Sequence, residues 1–122
     1  MADTMATAAI AREFTEAWTR GDSDAAGGYL ADDVVFDGPL GHVEGKGPYL
    51  ESLAGLRRSM GVTGVRVVAA YGGDSQALIM YELDTHRFGA LLCAKLLTFR
   101  EGKIALDRLT FDSYVLRLEQ GG

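Results

Sequence analysis

Apolar positions recur with two periods along this chain, near 3.6 residues up to about residue 60 and near 2 beyond it. Ile10, Phe14, Ala17 and Trp18 fall at i, i+4, i+7 and i+8, one apolar stripe of a helix over residues 4–20. Asp3 or Thr4 caps its start, and Gly21 ends it in a left-handed position. Asp22 or Ser23 then caps a second, shorter helix running to about Leu30. Gly27-Gly28 weakens that helix by about 1 kcal/mol per glycine relative to alanine, and close packing against another backbone is one reason to carry it. Val34-Val35-Phe36 reads as a short strand, and Gly38-Pro39-Leu40-Gly41 breaks it into a loop reaching Gly47. Pro48 suits the first turn of a third helix, with Leu50, Leu53 and Leu56 or Arg57 on successive turns and Gly61 at its end.

Everything after Gly61 reads as strand. Val65, Val67, Ala69 and Tyr71 share one face of 62–71, and Gly72-Gly73-Asp74 makes a hairpin turn. Residues 76–87 alternate, with Ala77, Ile79, Tyr81 and Leu83 on one side and Leu78, Met80, Glu82 and Asp84 on the other. Phe88-Gly89 turns the chain again, and residues 90–100 are apolar on both faces, as in a central strand covered twice. Glu101-Gly102 is the last turn, before a strand over 103–116. Helices followed by an antiparallel meander predict an α+β fold with the helices on one sheet face. The second apolar face of the central strand then needs its own cover, and a homodimer through the outer sheet face would supply it.

The 122 residues, 48% of them apolar, suit one domain with one core over 1–122. The single Cys93 has no internal partner, and neither a secretory leader nor a membrane-spanning run is visible, so a reduced, cytoplasmic setting is expected. A net charge of −5, with Arg57-Arg58 as the only adjacent basic pair, argues against nucleic acid as a partner. No amphipathic basic segment suggests a membrane surface.

The order of these elements, with the stretches LADDVVFDGPLG, GKGPYLESL and KLLTFREGKIALDRLTFD, resembles the nuclear transport factor 2-like superfamily. Within it the chain is similar to the SnoaL-like cyclases, ketosteroid isomerases and limonene epoxide hydrolases. The resemblance implies a cone-shaped α+β barrel, three N-terminal helices on a curved and mostly antiparallel sheet, with a small apolar molecule in its open end. It implies no cofactor.

Candidate chemistry follows from the same stretches. The Phe111-Asp112 ending resembles the closing motif of the cyclases and epoxide hydrolases, where that aspartate works as acid or base; a carboxylate in an apolar cavity suits proton transfer near neutral pH. The alternative is a strand-end aspartate facing water. Asp84 matches the aspartate of an epoxide hydrolase Arg-x-Asp, but Glu82 stands where the arginine would be, and both acids could simply face solvent. Asp37 lies one residue before the position of the ketosteroid isomerase base, which Gly38 occupies; a slip of one residue turns a strand side chain to the other face. An Asx turn before Gly-Pro is its other reading. Phe14 stands in place of that enzyme's tyrosine and Lys95 in place of its second acid, so a steroid isomerase is not expected.

Lys95 is the most unusual residue, a cation within LLCAKLLTF. Either it points into the cone and pairs with a carboxylate, with Asp84 or Asp112 as partner, or it points outward at an edge or interface. Inside, it could hold a ligand carboxylate or an enolate. Phe14, Trp18, Tyr29, Phe36, Leu53, Met60, Tyr81 and Phe99 are expected to line or floor the cavity, or to be plain core, and Arg108 is a further substrate-binding candidate. His42 and His86 are too far apart in sequence to signal a metal site. Two functions remain: an acid–base enzyme performing isomerisation, cyclisation, hydration or epoxide opening on a polyketide-, terpenoid- or steroid-like compound, and a non-catalytic binding or dimerisation module.

Overall fold

The computed structural model describes residues 4–39 and 41–111. Helix α1 (Thr4–Thr19) is followed by the one-turn α2 (Ser23–Gly27), strands β1 (Leu30–Gly38) and β2 (Gly41–Glu44), and helix α3 (Lys46–Met60). Four long strands complete the described chain: β3 (Val62–Gly72), β4 (Gln76–Thr85), β5 (Gly89–Arg100) and β6 (Lys103–Phe111). They form one six-stranded sheet in the order β2-β1-β6-β5-β4-β3, antiparallel throughout except where β1 runs parallel to β6. The helices cover one face of this curved sheet, which is the α+β cone expected from the sequence.

Each helix is placed by local chemistry. On α1 the stripe of Ala11, Phe14, Ala17 and Trp18 is buried, and between them Thr15 and Thr19 return their hydroxyls to the carbonyls of Ala11 and Thr15, each at 2.8 Å. Two buried hydroxyls are thereby satisfied without leaving the helix. Asp22 caps α2, accepting from the Ala25 amide at 3.0 Å. A β-carbon on Gly27 would lie 3.2 Å from Leu50 Cδ1, so its bare backbone lets α2 close on α3. Gly61 ends α3 at φ 66°, and a side chain there would also run into His86 at 2.9 Å.

Two register shifts correct the strand readings. Val67 pairs with Tyr81 but Ala69 with Met80, so Val68 is an extra residue and the alternation of β3 flips there. Val65, Val67 and Ala70 pack on the core, whereas Tyr71, read on the same face as Val65, is 73% exposed on the other. In β6, Ile104 pairs with Phe99 and Leu106 with Thr98, so Ala105 is the extra residue. Beyond it Asp107, Leu109 and Phe111 turn inward and Arg108 and Thr110 outward. The single short strand expected at 34–36 is in fact a hairpin, β1 with β2, Val35 opposite Glu44 and Gly38 opposite Gly41. The expected continuation of the last strand past residue 111 lies outside the described residues.

Candidate functional site

Between α1, α3 and the inner sheet face lies a cavity of about 480 Å³. Trp18 from α1, Phe36 from β1, Leu53 and Met60 from α3, and Tyr81 from β4 line it, all expected from the sequence. Its wall is largely apolar; Ser52, Ser59 and Arg87 also line it, and two polar groupings stand out.

The first is a buried polar cluster. Lys95 comes inward from the middle of β5, only 1% exposed, and pairs with Asp107 of β6, fully buried, at 2.9 Å from Nζ to Oδ2. Tyr49, from the first turn of α3, donates its hydroxyl to the same Oδ2, and Lys95 Nζ donates to the Tyr49 oxygen at 3.3 Å. Lys95 and Tyr49 both line the cavity, and their shared carboxylate ties them together. Burial first, then the charge and hydrogen bond of Asp107, push the Tyr49 phenol well above its ordinary pKa, so Tyr49 stays protonated. Burial raises the Cys93 thiol, which also lines the cavity, against a smaller opposing pull from Lys95. Among the described residues Trp18 Nε1 and Asp107 Oδ1 are buried without a hydrogen-bond partner.

The second is at the β1–β2 hairpin. His42 lines the cavity and holds Asp37 through Nδ1 at 3.1 Å and Glu44 through Nε2 at 2.8 Å. The Glu44 hydrogen bond, then that of Asp37, raises the pKa of His42, because a ring that serves two carboxylates does so best with both nitrogens protonated.

The remaining expected residues are placed as follows. Lys95 points into the cone, and its carboxylate partner among the described residues is Asp107 rather than Asp84. Asp84 is exposed on the outer face, because the alternation of β4 turns Ala77, Ile79, Tyr81 and Leu83 inward. Glu82 beside it pairs with Arg66. Asp37 is exposed and occupied by His42 rather than aimed at the polar cluster. Arg108 is exposed on the outer side of β6. Tyr29 is half-buried and donates to Glu13 at 3.0 Å, away from the cavity, and Phe99 is buried in the core opposite Ile104. Phe14 is fully buried with its ring against the Lys95 ammonium. Asp112 lies outside the described residues.

Two members of the polar cluster escaped the sequence reading, though each carried a signal. Tyr49 stands four residues before Leu53, on a stripe continuing through Leu56 and Met60. Asp107 shares its parity with Leu109 and Phe111, the apolar side of the last strand.

The fold agrees with what the chain resembles. A SnoaL-like domain model matches residues 11–106, and the chain belongs to that family. No curated protein matches the sequence. A crystal structure from Kribbella flavida DSM 17836 superposes with a TM-score of 0.86 at 26% identity, over 96% of this chain and 95% of that one. A Mycobacterium tuberculosis LEH-like epoxide hydrolase superposes at 0.74 and 19% identity, over 98% of each chain. A Catenulispora acidiphila protein of ketosteroid isomerase-like fold, solved with trimethylamine, superposes at 0.70 and 22% identity, over 82% of each. No helix among the described residues is long and apolar enough to cross a membrane.

Proposed function

We propose that this protein binds a small apolar carbonyl compound in the cone and moves a proton on it, with Asp107, Tyr49 and Lys95 as the working groups and no cofactor. The observation that carries the reading is the buried Lys95–Asp107 pair, joined through Tyr49 to the wall of an apolar cavity. Buried ions are costly to keep, and here two of the three groups face the apolar cavity. In the proposed step the proton on the carbon next to the carbonyl passes to Tyr49 Oη as the Tyr49 hydroxyl proton passes to Asp107 Oδ2. The electron pair moves toward the carbonyl oxygen, where the remaining Lys95 N–H meets the developing charge. Because both protons move together, no phenolate forms, consistent with the high Tyr49 pKa. Return of the proton to the same or a conjugated carbon gives exchange or isomerisation.

Small cyclic ketones in D₂O test this. The protein is expected to wash deuterium into the α-positions, seen as loss of their proton NMR signals, and Asp107→Asn to slow the exchange about 10²–10⁴-fold. No exchange with any ketone that measurably binds would sink the proposal.

A homodimer through the outer sheet face is part of the same reading. Val68, Tyr71, Leu78, Met80 and Leu92 are exposed there, with Leu78 at 53% and Leu92 at 51%. The rim carries both signs, in Arg66 with Glu82, Asp84 and Arg108, so a second copy turned about a two-fold axis finds complementary charges. Sedimentation is expected to show a dimer for the wild type and a folded monomer for Leu78→Glu with Leu92→Glu. A wild-type monomer at micromolar concentration would refute it.

A further inference from the structure

The ammonium of Lys95 has more around it than its carboxylate. Its Nζ lies 5.3 Å from the ring centroid of Phe14, 5.6 Å from that of Trp18 and 5.9 Å from that of Phe36. Three aromatic rings, an acid at 2.9 Å and a tyrosine hydroxyl at 3.3 Å are the surroundings that capture a small alkylammonium ion from solution. Here the captured ion is tethered to the chain. Lys95 also borders the ligand cavity, as do Trp18, Phe36 and Tyr49, so the cage and the cavity share a wall.

We infer that Lys95 is a specificity-determining residue: it fills an aromatic cage that would otherwise accept organic amines, and so turns the cavity toward ligands ending in an acceptor oxygen. The argument is one of complementarity. Asp107, the acid a ligand cation would seek, is already neutralised, and the aromatic faces are already occupied. An incoming ammonium at the cage meets the like charge of Lys95 in place of a free acid, a repulsion that is strong in a water-poor site. A carbonyl, hydroxyl or carboxylate oxygen instead meets the free N–H of that same group. Among the described residues the nearest other acids, Asp37 and Glu44, are exposed on the β1–β2 hairpin and hydrogen-bonded to His42. Cutting Lys95 back to alanine removes the propylammonium portion of its side chain. What remains is an empty cage with an acid at its base, open to the cavity.

The inference rests on the cavity being the ligand site, as proposed above, but not on turnover. Two probes with the same ring separate it from its alternatives: cyclohexanone and cyclohexylammonium, titrated by calorimetry at matched ionic strength. The wild type is expected to bind the ketone at least about tenfold more tightly than the ammonium. Lys95→Ala is expected to reverse that order, gaining at least about tenfold for cyclohexylammonium. Should Lys95→Ala not fold, Lys95→Ala with Asp107→Asn removes the stranded charge. That variant should still bind the ammonium more tightly than the wild type does, through the rings alone. A wild type that takes cyclohexylammonium as well as the ketone overturns the inference. So does a folded variant that gains no affinity for the ammonium. Since the readout is binding, a protein that exchanges no protons still shows the reversal, and the two readings fail separately.

Discussion

Lys95→Met is expected to cost about 3–5 kcal/mol of folding stability, read as a lowered denaturant midpoint at unchanged slope. Methionine matches the stem of lysine in length and apolar character, so little packing is lost. What changes is Asp107: fully buried, it keeps one hydroxyl donor from Tyr49 and loses its counter-ion. A buried carboxylate without its cation carries a desolvation cost that nothing returns. Against a total stability of about 5–15 kcal/mol for a domain of this kind, the loss lowers Tm by roughly 10–20 °C. Adding Asp107→Leu is expected to recover most of it, because an apolar pair of similar volume is often as stable as a buried ion pair. The coupling energy from the double-mutant cycle then measures the pair itself. A single variant within about 1 kcal/mol of the wild type would mean that the two charges are not buried together.

That pair also marks the limit of what the sequence discloses. The helices, their stops at Gly21 and Gly61, and the alternation of β4 follow from period and turn chemistry, which are local. The inward direction of Ala77, Ile79, Tyr81 and Leu83 is therefore readable. Lys95 is visible as an anomaly for the same reason, since its neighbours are all apolar. Its partner is not, because an ion pair between β5 and β6 depends on register. In β6 the extra residue at Ala105 moves Asp107 onto the face that unbroken alternation from Ile104 would give to Leu106. Family resemblance drew attention to Asp84 and Asp37 instead; one faces solvent, and the other is engaged by His42 at the surface. Tyr49 shows the converse. Its helical spacing was legible, but that its hydroxyl bridges α3 to β6 is a tertiary fact carried by the packing of α3 across β1, where its ring stacks on Phe36 at 5.1 Å.

Tyr49→Phe isolates the hydroxyl from that packing. The ring and its stacking on Phe36 are kept and Asp107 retains Lys95, while the hydroxyl's bond to Asp107 and the one it accepts from Lys95 are lost. The stability cost is expected to be about 1–3 kcal/mol, that of a buried hydrogen bond to a charged acceptor. The effect on α-proton exchange should be far larger, about 10²–10⁴-fold, because the variant has no group to carry the proton from ligand carbon to Asp107. Ketone binding should weaken by less than about tenfold, since Lys95 still donates to the carbonyl oxygen. This split between rate and affinity distinguishes a relay from a tyrosine that merely holds Lys95 in place. A positioning tyrosine would cost affinity and rate together, as the ammonium drifted from its place in the wall. If Tyr49→Phe exchanges protons at close to the wild-type rate, Asp107 must reach the ligand without it, and the relay is wrong even where the site is right.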